Sequence, residues 1–178
     1  MTPSFPIVRS GYRVEVLKPQ DASRVQPLFN ACADYALLES GEPPAANAAA
    51  AEFDAVPPGR TTADILMLGL LNDENRIAGL IAADRGWPEV NGWWIALLLV
   101  DPAERGTGIA ADFVGAFLSW VKGQGAQHVG LAVFDENTRA DRFWRALGFE
   151  YVRSTEPRNI GRKTHVLRVM RRRLDPPP

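Results

Sequence analysis

The chain has 178 residues, 46% of them hydrophobic and 23% charged, with one cysteine and two histidines. That length suits a single domain able to bury a sizeable core, and the composition excludes disordered, collagen-like and coiled-coil chains. One cysteine rules out an internal disulfide framework, Cys32 with His128 and His165 is too small a set for a structural zinc site, and the net charge of -1 gives no general case for binding nucleic acid.

No segment reaches the roughly 18 apolar residues that a membrane span requires. Met1–Ser10 lacks the apolar centre of a signal peptide. A soluble, cytoplasmic protein without a membrane partner is therefore expected. The small net charge hides an asymmetry: residues 1–138 carry nine basic and seventeen acidic side chains, and residues 139–178 carry eleven and four. Either the two parts attract each other across the fold, or the C-terminal basic block meets an anionic ligand.

In chain order, Tyr12–Leu17 alternates as a strand does. Asp21 is placed to cap a helix running to about Glu39, which Ser40-Gly41 ends. The Ala-rich stretch Glu42–Gly59 lies between two Pro pairs; its middle suits a short helix, and the whole suits a flap over a site. Asp64–Leu71 and Arg76–Ala83 are strand-length apolar runs joined by the turn formers Asn72–Asn75, which predicts a hairpin. After the Pro-containing connection Asp84–Asn91, Gly92–Val100 is apolar on both faces, as a central strand is. Ala110, Phe113, Val114, Phe117, Leu118 and Val121 recur at helical spacing, with Gly123 and Gly125 ending that helix. His128–Phe134 reads as another buried strand. Asn137 opens a helix with Ala140, Phe143, Trp144 and Leu147 on one face and Gly148 closing it. Phe149–Ser154 and His165–Arg171 should form an antiparallel pair, and the tail Asp175–Pro178 should be disordered. The order predicts an α/β (α+β) fold over residues 1–174: a mixed sheet with helices on both faces.

The chemistry concentrates between the central strand and the following helix, in Val100-Asp101-Pro102-Ala103-Glu104-Arg105-Gly106-Thr107-Gly108-Ile109-Ala110. Glycines at a helix start leave backbone N–H groups uncovered, and the helix dipole adds positive potential, which together suit a pyrophosphate. Arg105 can add a charge-assisted contact. Gly106–Ala111 also fits the dinucleotide fingerprint G-x-G-x-x-A, but five residues separate Val100 from Gly106 and several strands precede the loop, whereas that fingerprint follows its strand directly. A phosphate loop of the Walker type would need Lys-Ser/Thr after the glycines. On the segment alone, a plain tight turn remains open.

Context selects among these. Arg105–Ala110 has the form R-x-x-G-x-A and resembles the acyl-CoA pyrophosphate loop of the GNAT superfamily of N-acetyltransferases. Leu98-Leu99-Val100-Asp101-Pro102 resembles that family's strand end, and Asn137-x-x-Ala140-x-x-Phe143-Trp144-x-x-Leu147-Gly148-Phe149 resembles its second signature. The resemblance implies a mostly antiparallel six- or seven-stranded sheet in which the central strand and His128–Phe134 splay apart around pantetheine. It implies acetyl-CoA as co-substrate and an amine as acceptor, with no metal. Leu98, Leu99 and Val100 would meet the pantetheine arm; Arg105, Gly106, Thr107, Gly108, Ile109 and Ala110 the pyrophosphate. Asn137 would contact the arm, brace the loop or simply cap its helix. Arg139, Arg142 or Arg145 would meet the 3′-phosphate.

The sequence departs from the family pattern in two places. Trp144 stands where the family commonly has an acidic Tyr, and an indole can position the sulfur without protonating it. Trp94 and Ala96, read as sharing a face of the central strand, stand where many relatives have a Glu base. Glu89, with Asp84 beside it in sequence, is then the expected base, and Tyr12, Tyr35 and Tyr151 are candidate acids. Cys32 reads as packing, as do Trp93, Trp120 and Phe113; Trp87 and Trp94 suit an acceptor pocket. The acceptor loops would be Glu42–Gly59 and Asp84–Asn91, whose acids favour a cationic amine. A non-catalytic acyl-CoA sensor is the alternative function. Exposed strand edges near the C-terminus would permit a homodimer.

Overall fold

The structure is a computed structural model and describes residues 5, 6 and 8–174. Its strands are β1 (Tyr12–Val16), β2 (Ile65–Asn72), β3 (Ile77–Arg85), β4 (Gly92–Val100), β5 (His128–Phe134), β6 (Glu150–Ser154), β7 (Arg158–Ile160), β8 (Lys163–His165) and β9 (Leu167–Arg173). Its helices are α1 (Ala22–Ala31), α2 (Ala33–Glu39), α3 (Ala48–Asp54), α4 (Ile109–Gly123) and α5 (Thr138–Ala146). Seven strands make one sheet in the order β1-β2-β3-β4-β5-β9-β6, while β7 and β8 form a separate hairpin. Every neighbouring pair in the large sheet is antiparallel except β4 and β5. This is the mixed, mostly antiparallel sheet expected.

Both faces of the middle strands are covered, which is why β3 and β4 are apolar without a break. Phe113, Val114, Phe117 and Val121 of α4 are almost fully buried against Trp93, Ile95, Val129 and Leu131. On the other face Val25 and Leu28 of α1 and Phe53 of α3 cover Leu71, Leu80, Leu97 and Leu99. Each such side chain stabilises the fold by roughly 1.5–3 kcal/mol through burial.

The two clusters reveal an irregularity in β4. Strict alternation would put Trp93, Ile95, Leu97 and Leu99 on one face. Instead Trp93 and Ile95 lie in the α4 cluster and Leu97 and Leu99 in the α1–α3 cluster. Ile95 is opposite Ala83 and Leu97 opposite Ala82, so Ala96 has no counterpart on β3. It is the extra residue of a β-bulge, and it turns the alternation over. Trp94 and Ala96 therefore do not occupy equivalent positions of a plain strand.

Other expectations are corrected in detail. The first helix is two: α1 ends at Ala31 and α2 begins at Ala33, with Cys32 between them at φ -88° and ψ 33°. Asp21 does not cap it with its side chain; it ends a 3-10 turn, and its carboxylate accepts from the Lys18 N–H at 2.9 Å and from Arg24 at 2.8 Å. The last sheet strand begins at Leu167, because His165 belongs to the β7–β8 hairpin. The tail Asp175–Pro178 lies outside the described residues.

The charge asymmetry is taken up in part inside the fold, where four of the eleven C-terminal basic residues pair with earlier acids. Arg162 pairs with Glu42 at 2.8 Å, Lys163 with Glu136 at 3.6 Å and Arg171 with Glu89 at 2.7 Å, and Arg168 pairs with Asp135. The C-terminal basic residues thus meet acids from earlier in the chain.

One close approach ties this sheet to the region where β4 and β5 meet. Trp94 stands opposite Gly130, and a Cβ on Gly130 would meet the indole at 2.7 Å. Gly130→Ala is expected to lower unfolding free energy by about 1–3 kcal/mol in urea titrations, since the ring has to shift. Gly115→Ala, where a Cβ in α4 meets nothing within 4 Å, is expected to raise it by roughly 0.5–1 kcal/mol.

Candidate functional site

β4 and β5 are hydrogen-bonded only over Gly92–Ile95 and His128–Leu131. Beyond that the strands part, and residues 96–100 have no neighbour on the β5 side. In a strand the N–H and C=O of one residue point to the same side and alternate along the chain. The Asp101 N–H donates to the Ala78 carbonyl on the β3 side at 2.9 Å, so Leu98 and Val100 turn theirs into the gap. Leu99 is packed into the α1–α3 core. The Val100 carbonyl already accepts from Arg105 Nε at 3.0 Å, which leaves its N–H. The gap widens into a cleft of about 870 Å³ whose lining includes Leu98, Gly106, Ala110, Asn137 and Trp144.

At the mouth lies the loop before α4. It begins with a 3-10 turn, Pro102–Glu104, in which Asp101 Oδ1 accepts from the Ala103 N–H at 2.9 Å. Gly106 and Gly108 follow at φ +81° and +87°, a region costly for any residue with a Cβ. The N–H groups of Gly106, Gly108 and Ala110 have no acceptor among the described residues. The N–H groups of Thr107 and Ile109 reach Glu104 O and Thr107 Oγ1 only at 3.4 and 3.3 Å. A Cβ on Gly106 would meet nothing within 4 Å, so the space before it is open. Donors gathered at the positive end of a 15-residue helix form a receptor for an anion.

The loop is braced from three directions. Tyr12 donates to Glu104 at 2.8 Å, and this bond raises the Tyr12 phenol pKa. Arg9 donates to the Thr107 carbonyl at 2.9 Å and pairs with Asp112 at 2.6 Å. Arg105 grips Asp34 of α2 through both terminal nitrogens, at 2.5 and 3.0 Å, and holds that carboxyl below its usual range. Arg105 borders the cleft, with its guanidinium engaged by Asp34 and the Val100 carbonyl. The supporting roles of Arg9 and Asp34 had no signal in the sequence, because both lie far from the loop along the chain.

Among the other expected residues, Asn137 caps α5 by accepting from the Ala140 N–H at 3.1 Å, and it also borders the cleft. Trp144 is 6% exposed, edge-on to Phe143 and Phe149 at 5.0 and 5.1 Å, and lines the cleft floor. Of the three arginines considered for a phosphate, Arg139 borders the cleft, while Arg145 is paired with Asp141 at 2.7 Å. Arg158 of the β7–β8 hairpin borders it as well, an element not foreseen. Trp87 and Trp94 meet edge to face at 4.7 Å on the cleft wall.

The acid–base groups sort differently from expectation. Glu89 is not brought to the cleft. Its carboxylate accepts from Arg171 at 2.7 Å, which lowers its pKa, and lies 3.6 Å from His128. A carboxylate held ionised by a cation is a weak base, so Glu89 is withdrawn as the general base. Tyr151 is exposed and bonded to Ser154. Tyr35 does border the cleft; burial drives its phenol pKa up, and its hydroxyl donates to Glu39 at 3.3 Å. Burial also raises Glu39. Next to it, Glu52 of α3 is raised to about 7 by burial, then by the charges of Glu39 and Asp84. Asp84 is raised by burial. Cys32 is buried, its thiol pushed up, and no cysteine lines the cleft among the described residues. Glu39 and Glu52 had no motif to mark them. For Glu52 the one available signal was an acid in an apolar, Pro-bounded segment.

Parted parallel strands, a donor-rich loop at a helix start and a long cleft between them make up the candidate site. The comparisons give the chain a family. Residues 29–149 match the model of the acetyltransferase (GNAT) family, and the chain belongs to that family. No curated protein matches the chain. Among solved structures it resembles an acetyltransferase from Thermus thermophilus (21% identity, 92% of this chain and 97% of that one, TM-score 0.75). It also resembles a GCN5-related N-acetyltransferase from Kribbella flavida (20%, 92% and 98%, TM-score 0.66). A third is YncA from Salmonella typhimurium, solved with its cofactor acetyl-CoA (14%, 93% and 95%, TM-score 0.67). Identities at this level establish the shared fold. Among the described residues no His, Cys, Asp or Glu group is placed to hold a metal ion, and no helix is long and apolar enough to cross a membrane.

The raised Glu52 has a consequence for stability. Its carboxylate is disfavoured in the folded state, so its contribution is fully present below pH about 4.5 and is lost as pH rises through about 7. Relative to the parent, Glu52→Gln is expected to gain stability between pH 5 and pH 8, by on the order of 3 kcal/mol at most. Urea unfolding of both proteins at the two pH values measures it; a constant difference would show Glu52 to be unperturbed.

Proposed function

We propose that this protein transfers the acetyl group of acetyl-CoA to a primary amine by direct attack within a ternary complex. The observation that carries the reading is the joint occurrence of the parted β4 and β5 with unpartnered N–H groups at the start of α4. Pantetheine would lie in the gap as an added strand, bonded by Leu98 and by the Val100 N–H. The pyrophosphate would sit on the N–H groups of Gly106, Gly108 and Ala110, with Thr107 and Ile109 flanking. Arg139 is the cation at hand for the 3′-phosphate, and Asn137 would border the arm while capping α5. Trp144 would pack beside the sulfur and hold its position.

Such a site needs little more than proximity. Bringing amine and thioester together supplies much of the acceleration, and a backbone N–H near the parting point would polarise the thioester carbonyl. The buried Cys32, turned toward the Val100 carbonyl at 3.5 Å, is not disposed to form an acyl-enzyme, which favours direct attack.

The test is release of free CoA from acetyl-CoA with a panel of amines, amino acids and peptides. Amine-dependent release is expected from the parent. Gly106→Val places a branched side chain in the open space before the loop and is expected to weaken acetyl-CoA about tenfold or more, a loss of about 1.4 kcal/mol, with the circular dichroism spectrum unchanged. Tight acetyl-CoA binding with no amine-dependent release across the panel would replace the enzyme by a non-catalytic acyl-CoA sensor.

A further inference from the structure

Beside the cleft lies a second cavity of about 320 Å³, lined by Glu52, Pro57, Ala82, Ala83, Asp84 and the bulge residue Ala96. Ala96 also lines the cleft, so the two spaces adjoin at this residue, where β4 leaves β5. Asp84 is 4% exposed, and its Oδ1 has no hydrogen-bond partner among the described residues. A buried carboxylate oxygen without a donor is costly, and a native fold keeps one where something else supplies the donor. The remaining wall is small and apolar, suited to a hydrocarbon chain.

We infer that this cavity seats the ammonium group of the acceptor against Asp84 and Glu52, and that the acceptor is an aliphatic primary amine with no carboxylate beside its nitrogen. This rests on the acetyl-transfer reading above and narrows its substrate class. The charges around the cavity decide against amino acids. Asp84 faces it from β3 and Glu52 from α3; Glu39 of α2 acts on Glu52, and Asp64, just before β2, acts on Asp84. Arg60 is the cation that acts on Asp84, and its guanidinium is shared with the Arg85 carbonyl and, at 3.5 Å, with Asp64. The balance is negative: it attracts an ammonium and repels a carboxylate attached next to it.

Glu52 then takes over the proton that no residue of β4 can accept. Its carboxylate removes one proton from R–NH3⁺ and leaves the nitrogen lone pair, which bonds to the thioester carbonyl carbon. As the C–S bond breaks, the electron pair leaves on sulfur. The second nitrogen proton passes to that thiolate through water, so the products are the amide and CoA–SH, with one proton left on Glu52. A base titrating near 7 is matched to this work at neutral pH.

Calorimetric titration of the CoA-loaded protein with butylamine and with norvaline, the same amine bearing an α-carboxylate, tests the site without any variant. Butylamine is expected to bind at least tenfold more tightly. Asp84→Asn and Glu52→Gln should each weaken butylamine about tenfold while CoA affinity stays within about twofold. With acetyl-CoA, kcat/KM for butylamine should rise through about pH 7 in the parent and lose that limb in Glu52→Gln. Equal or tighter binding of norvaline, no butylamine binding to the CoA-loaded parent, or unchanged butylamine affinity in both variants would overturn the site. Butylamine binding without CoA release would overturn acetyl transfer and leave the cation site standing. Release with amino acids and not with simple amines would do the reverse.

Discussion

The end of hydrogen bonding between β4 and β5 at Ile95 and Leu131 is the constraint on which the rest of the site depends. Had the parallel ladder continued, Leu98 and Val100 would have satisfied their backbone groups within the sheet and the cleft would be closed. A strand buried on both faces can leave backbone groups unpaired only where a ligand or solvent will meet them. The bulge at Ala96 sits at that parting, and by turning over the alternation it keeps apolar side chains packed on both sides of β4 while the ladder on one edge ends. The same residue separates the cleft from the smaller acidic cavity, so one irregularity sets both spaces.

Electrostatics is divided between backbone and side chains. The loop before α4 offers N–H groups and a helix start, a kind of anion site that needs no net positive charge; Arg105 is committed to Asp34 and Val100, and Arg9 to Thr107 and Asp112. These two arginines fix the loop's shape. Four of the eleven basic residues in 139–178, Arg162, Lys163, Arg168 and Arg171, pair with acids earlier in the chain. Glu52 and Asp84, which form no ion pair among the described residues, line one cavity where burial raises their pKa values. The charge asymmetry of the sequence thus serves folding in part, and two of the unpaired acids lie in the smaller cavity.

The motifs of residues 92–150 were legible because they are local. Gly92–Val100 and His128–Phe134 are strands with the bounds read from their composition. Asn137 caps its helix, and Gly106 and Gly108 adopt the positive φ that their residue type permits. The helix after Asp21 was half legible: the apolar period was correct, but the interruption at Cys32 has no turn residue to announce it. The β7–β8 hairpin was missed because Arg158–His165 is short and polar.

Local pattern, then, determined the family resemblance, the strands and helices along the chain and the glycine loop at a helix start, since periodicity, capping and glycine conformation act within a few residues of chain. Tertiary structure alone decided which charges are free to act. Glu89 looked available in sequence and is held by Arg171, 82 residues away, whereas Glu52 and Asp84, 32 positions apart, share one cavity. A carboxylate's strength as a base depends on burial and on the charges around it, and those are set by which segments the fold brings together.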